Sequence, residues 1–183
     1  MPEKNINSTT MLPAALRPTP DESGMTVPQL LEHRINALFE QIPLVAELGE
    51  AFAQAGHDLY LVGGSVRDAL MGRLGHDLDF TTDARPDDTE AILRQHTHAT
   101  WDIGRAFGTI GAQIDDWVVE VTTYRADAYH PDSRKPEIVY GETLKDDLIR
   151  RDFTVNAMAL HAATRTFSDP YAGLTDIVSG ILR

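Results

Sequence analysis

The chain has 183 residues, of which 42% are hydrophobic, enough for one well-packed core and short for two. A formal charge of −12 excludes a broad basic surface for gripping a polyanion, so any nucleic acid has to be held at local sites. With no cysteine, disulfides, thiolate zinc sites and cysteine nucleophiles are excluded together, and any metal must sit on oxygen or imidazole.

Residues 1–26 are rich in Pro, Ser, Thr and Asn and read as a disordered tail, followed by one domain over residues 27–183. No basic segment precedes an apolar leader, and no apolar run approaches the roughly 18 residues a spanning helix needs, so a cytoplasmic protein without a membrane partner is expected. Leu30, Leu31, Ile35, Leu38 and Phe39, then Leu44, Val45, Leu48 and Phe52, recur at three- and four-residue steps and predict two helices meeting near Pro43. Leu59–Val62 is a buried strand by composition. The GGSVRDALMG that follows reads as a glycine turn and a helix, with Ser65 and Asp68 at capping-box spacing. Leu78 to Thr82 is the second strand, and Pro86 with Asp87 and Asp88 marks a helix start. GTIGAQI and WVVEVTTY flank the turn residues Asp115 and Asp116 and predict an antiparallel hairpin. Residues 125–142 read as a long loop that orders poorly without ligand. Thr143 and Asp146 form a further capping box ahead of the apolar FTVNAMALHA.

The chemistry concentrates in three stretches. In GHDLDF, Asp77 and Asp79 share one face of a strand while Leu78 and Phe80 point inward, and two like charges held close together call for a cation between them. Magnesium suits such oxygen ligands, and a solvated acid pair on an edge strand is the plain alternative. Thirteen positions before Asp77 lies Gly64, in a glycine turn opening a helix. The backbone N–H groups of Gly63 and Gly64 can face phosphate there, with Arg67 a fixed cation in the first turn. The turn fits neither GxxxxGK[ST] nor GxGxxG, so a different phosphate chemistry is implied. In RRDFTVNAMA, Arg151 reads as a triphosphate ligand, or as one of two arginines complementing a helix end. Asp152 and Asn156 bind sugar hydroxyls or orient the arginines. Glu120 is either a third metal carboxylate or an exposed hairpin acid, and Arg125 reaches substrate or only the loop. His76, His96, His98 and His130 show no HExxH spacing, and no GxSxG elbow supports serine hydrolysis.

Together LYLVGGSVRDALMGRLGHDLDFTTDA, VEVTTYR and DDLIRRDFTVNAMA, followed by DPYAGLTDIVSGILR, resemble the head domain of class II CCA-adding tRNA nucleotidyltransferases and bacterial poly(A) polymerases. These belong to the DNA polymerase beta-like nucleotidyltransferase superfamily. The resemblance covers about Val27 to Arg183. It implies an α+β fold with a mixed, mainly antiparallel sheet flanked by helices, and catalytic Asp77 and Asp79 holding Mg2+. It also implies nucleotide on Gly63, Gly64, Arg67 and Arg151, and a ribose-selecting motif at Asp152 and Asn156. The reaction implied is template-independent transfer of CMP or AMP from CTP or ATP to a tRNA 3′ end, with poly(A) addition and non-catalytic nucleotide binding as alternatives. A helical RNA-binding continuation beyond Arg183 is expected from the family, so the chain reads as a catalytic-domain fragment or an unusually short product.

Overall fold

The computed structural model describes Thr19 and residues 22–73, 75–104, 107–126 and 139–183. Two helices open the fold, α1 (Val27–Gln41) and α2 (Pro43–Gln54). They break at Ile42 because the residue before a proline is pushed out of the helical region, and Ile42 sits at φ −127° with its side chain buried. Thr26 caps α1 in a box with Gln29, whose Oε1 accepts from the Thr26 N–H at 2.9 Å.

Seven strands form one sheet: β1 (Leu59–Val62), β2 (Asp77–Thr82), β3 (Thr100–Gly104), β4 (Thr109–Ile114), β5 (Trp117–Thr123), β8 (Ala159–His161) and β9 (Phe167–Ser168), in the order β3-β4-β5-β2-β1-β8-β9. Only β2 and β5 run parallel; every other pair is antiparallel. The sheet is therefore mixed and mainly antiparallel, as the family resemblance implies. The β4–β5 hairpin turns at Asp115 and Asp116 as expected, with Asp115 in the left-handed region at φ 51°.

Alternation decides which face is buried. Leu61 of β1, Leu78 and Phe80 of β2, and Val119 and Val121 of β5 join Leu38, Leu48, Phe52, Val66 and Leu93 of α1, α2, α3 (Gly63–Leu70) and α4 (Pro86–Leu93) in the main core. The opposite face is open around Asp77, Asp79, Glu120 and Thr122. Over its β1–β8 side, α5 (Leu144–Ile149) packs Leu148 and Leu144 on Val62 and Ala159, along with Tyr171. After α5 come a 3-10 turn (Thr154–Asn156), β8, β9 and α6 (Gly173–Ser179).

Three expectations change. Helix α3 starts at Gly63 directly off β1, with Val62 as its flanking residue, so Ser65 and Asp68 form no capping box. Residues 1–18 lie outside the described residues, but the folded part reaches back past the expected boundary at residue 26. Glu22 is buried and paired to Arg34 of α1, Oε1 accepting from Nε at 2.9 Å, while Arg34 also donates to the Leu70 carbonyl. Of the expected loop 125–142, residues 127–138 lie outside the described residues. Its ends pair as a two-stranded ladder of β6 (Arg125–Ala126) and β7 (Val139–Tyr140).

Candidate active site

On β2 the exposure pattern alternates, so Asp77 and Asp79 emerge on the open face while Leu78 and Phe80 are buried. Two strand residues span about 6.6 Å, close enough for both carboxylates to reach one cation cluster. Parallel pairing of β2 with β5 sets Asp79 opposite Glu120 and Asp77 opposite Val118. Glu120 therefore stands on the same face as the aspartates, as strand alternation predicts. Among the described residues, no three His, Cys, Asp or Glu side chains form a ready-made cluster for a metal ion.

The glycine corner lies at the end of β1, one strand from Asp79. Gly63 has φ +65°, a conformation costly for residues with a Cβ, and a Cβ added there would meet Arg151 Nη1 at 3.1 Å. One added at Gly64 would meet Arg67 Nη2 at 3.4 Å. The missing side chains let two guanidinium groups approach the first turn of α3, where backbone N–H groups are unpaired within the helix. Ser65 fastens this corner to the carboxylate strand: its Oγ donates to the Asp77 carbonyl at 3.2 Å and accepts from the Asp79 N–H at 3.0 Å.

Each arginine is held by a named partner. Arg67 donates Nε to Asp68 Oδ1 at 2.9 Å and Nη1 to Asn156 Oδ1 at 2.7 Å. Asn156 in turn donates Nδ2 to Asp152 Oδ1 at 3.3 Å. Asn156 thus links the Arg67 fork to Asp152. Arg151 donates Nη2 to Asp147 Oδ2 at 2.8 Å, and Arg150 leans on Asp147 Oδ1 at 3.3 Å. Asp147 is fully buried and was not singled out in the sequence; its i, i+3 and i, i+4 spacing to the arginines on one helical face was the available signal. Ser65 was singled out for a cap it does not form, and its function as a brace needed the β1–β2 pairing to be seen. Arg125 reaches back to the sheet, donating Nη2 to Thr109 Oγ1 at 2.8 Å. His76 is exposed beside the Trp117 ring, and His130 lies outside the described residues.

The electrostatics of the open face ask for positive charge. Burial against the sheet raises the Asp79 carboxyl above the usual carboxylate range; Arg151 opposes that rise and Asp77 adds to it. Burial likewise raises Glu120, reinforced by Asp79 and Asp77. Oxygen is the only donor type offered by Asp77 and Asp79, so the set fits a hard divalent ion such as magnesium, which takes one or two carboxylates and completes its shell with phosphate and water. Arg67 and Arg151 supply fixed cations beside them for an anionic chain.

A carboxylate strand braced to a glycine corner, with arginines converging on a helix N-terminus, is the arrangement that the sequence resemblance to a nucleotidyltransferase head domain implies. Comparison with known proteins agrees. The model of the poly A polymerase head domain matches residues 59–183, and the chain belongs to that family. The CCA-adding enzyme of Staphylococcus aureus (strain MRSA252) is 40% identical over 149 residues, 80% of this chain and 35% of that enzyme. The Bacillus stearothermophilus CCA-adding enzyme solved in complex with CTP superposes with a TM-score of 0.66 at 34% identity, over 78% of this chain and 33% of that one. A tRNA nucleotidyltransferase solved with a primer tRNA and an incoming ATP analog gives 0.60 at 31% identity, over 74% and 38%. The chain spans about a third of the length of these relatives.

Proposed function

We propose that this chain is the catalytic head of a magnesium-dependent, template-independent RNA 3′-nucleotidyltransferase that transfers CMP or AMP from CTP or ATP to a tRNA 3′ end. The observation that carries the reading is the exposed Asp77–Asp79 pair, tied through Ser65 to a glycine corner that Arg67 and Arg151 flank. The CTP and primer tRNA bound in the two relatives' structures support the choice of substrates.

In this reading the N–H groups of Gly63 and Gly64, with Arg67 and Arg151, hold the triphosphate. Asn156 fixes the Arg67 fork, and Asp152 fixes Asn156 and faces the ribose. The 3′-oxygen of the RNA forms a bond to the α-phosphorus, and the bond to the pyrophosphate oxygen breaks. Asp77 and Asp79 would hold magnesium, which would supply charge neutralisation and a lowered pKa for the attacking hydroxyl. Glu120, opposite Asp79 on the same face, would add negative charge beside the cation. Most of the protein's contribution is positioning and fixed charge, which phosphoryl transfer rewards most.

The test is incubation of the chain with magnesium, labelled CTP or ATP, and a tRNA lacking its CCA end, with product length read on a gel. Addition limited to the CCA triplet supports the reading, and absence of any extension by protein that binds nucleotide reduces it to a binding module. The family description names poly A polymerase, which favours AMP addition as the second reading. Long A tracts in the same assay would select it.

A further inference from the structure

Two arginine side chains and the backbone of a third converge on one buried carboxylate. Asp147 Oδ2 accepts from Arg151, whose Nη1 is the atom beside Gly63, whereas Oδ1 accepts from Arg150 Nη2 at 3.3 Å and from the Arg125 backbone N–H at 3.4 Å. The Arg150 contacts are long for charge-assisted bonds, and its side chain keeps 25% exposure, so most of its donors remain available. Arg125 is half-buried, and its Nε is buried with no acceptor among the described residues. A buried donor left unmet costs free energy, and such orphans in a folded protein point to a missing partner. Burial lowers the Arg125 pKa, and Arg150 and Arg151 push it the same way against Asp147, so like charges crowd a cluster one anion short.

The cluster also lies on the working face. Arg125 sits on Thr109, whose hydroxyl shares a 3.0 Å hydrogen bond with Thr122, and Thr122 is two residues along β5 from Glu120 on the same side. That step is about 6.6 Å, within the reach of one nucleotide from the carboxylate row. The triphosphate has its own donors at the Gly63 side of Asp147, which leaves Arg125 and Arg150 for the other anionic reactant.

We propose that Arg125 and Arg150 form a second phosphate subsite, which takes a phosphodiester of the RNA strand whose 3′-hydroxyl is extended. This rests on the nucleotidyl-transfer reading above. The test measures two affinities on the same samples: a 5′-fluorescein oligoribonucleotide with a free 3′-hydroxyl by anisotropy across a KCl series, and Mg-ATP by calorimetry. Arg125→Gln and Arg150→Gln should each weaken RNA binding roughly tenfold, the scale of one charge-assisted contact, and flatten the log K against log [salt] slope by about 0.7. Mg-ATP affinity should stay at the wild-type value, and Arg125→Lys should restore the salt slope while recovering affinity only in part. Arg150→Gln, at a side chain that is a quarter exposed, leaves Asp147 paired to Arg151 and keeps the test decisive if Arg125→Gln unfolds. Wild-type RNA affinity and slope in both Gln variants overturn the subsite, as does loss of Mg-ATP affinity with RNA binding intact, which gives the cluster to the triphosphate. A wild-type chain that binds neither probe sinks the underlying reading as well, whereas wild-type RNA binding with indifferent variants sinks only the subsite.

Discussion

Replacing Gly63 by Ala should separate backbone strain from site chemistry, because the fold contains its own control. Gly63 sits at φ +65° with Arg151 Nη1 3.1 Å from where a Cβ would stand, and Gly72 sits at φ +68° with nothing within 4 Å of that point. Left-handed backbone costs an Ala about 1–2 kcal/mol, so both variants should lose that much stability, or roughly 3–6 °C in melting temperature for a domain of this size. Only Gly63→Ala also pushes a guanidinium. Arg151 cannot swing freely, since Nη2 and Nε are pinned to buried Asp147 at 2.8 and 3.3 Å, so the displacement is passed to its phosphate-facing edge. Losing one charge-assisted bond, about 1.5–3 kcal/mol, weakens tripolyphosphate or Mg-ATP binding roughly tenfold or more. Calorimetric titration of both variants, alongside thermal melts, reads the two effects separately. Equal ATP affinities in Gly63→Ala and Gly72→Ala would refute the placement of Arg151 on the triphosphate, and an unshifted melting temperature in both would refute the strain argument.

Asp77→Asn and Asp79→Asn should each reduce RNA extension below detection without lowering the melting temperature, because each removes one of two neighbouring like charges; normal extension by either removes it from the metal set. Ser65→Ala removes two hydrogen bonds between α3 and β2, which predicts about 1–2 kcal/mol of lost stability in urea and slower extension at saturating nucleotide. An unchanged kcat would show that the brace does not position the aspartates. Glu22 carries a pH prediction. Its bond to Arg34 holds its carboxyl at about 2, against an ordinary 4.5, so its contribution is complete above pH 4.5 and disappears as pH falls toward 2. The linked stability is about 3 kcal/mol. Urea midpoints measured from pH 6 to pH 2.5 should show that acid-dependent loss in the wild type and its absence in Glu22→Gln.

Local patterns carried much of this fold into the sequence. The three- and four-residue apolar steps fixed α1 and α2, the proline at 43 fixed their junction, and the two aspartates at 115 and 116 fixed the hairpin, because each is a property of neighbouring residues. The positions of the candidate site residues on their elements were legible for the same reason: a DxD on a strand and a double glycine at a helix start are short-range signatures. What escaped was long-range. The β2–β5 pairing that lines Glu120 up with Asp79 joins residues 41 apart, and nothing in either strand states its partner. Ser65 mimicked a cap because the S-x-x-D spacing was right, but α3 begins two residues earlier, freeing the hydroxyl for β2. Glu22 looked like tail because only its three-dimensional partner, twelve residues on, makes it part of the core.

The acidic balance is compatible with a nucleic-acid enzyme once charge is weighed by distance instead of by sum. A net −12 spread over the molecule acts on a ligand through solvent, where salt screens it beyond about 8 Å. On the proposed reading, Arg67, Arg125, Arg150 and Arg151 act on a ligand at contact range, from partly buried positions where screening is weaker. They are also preassembled: Asn156, Thr109 and Asp147 already fix their forks, so little side-chain entropy remains to be lost when an anion arrives. The two aspartates a strand away complete a face of alternating sign. That is the arrangement a reaction between two polyanions requires, since each reactant must be drawn in and the charge between them cancelled at one point. On the proposed reading, the acidic remainder of the domain would oppose RNA binding elsewhere and favour the face where the carboxylates stand.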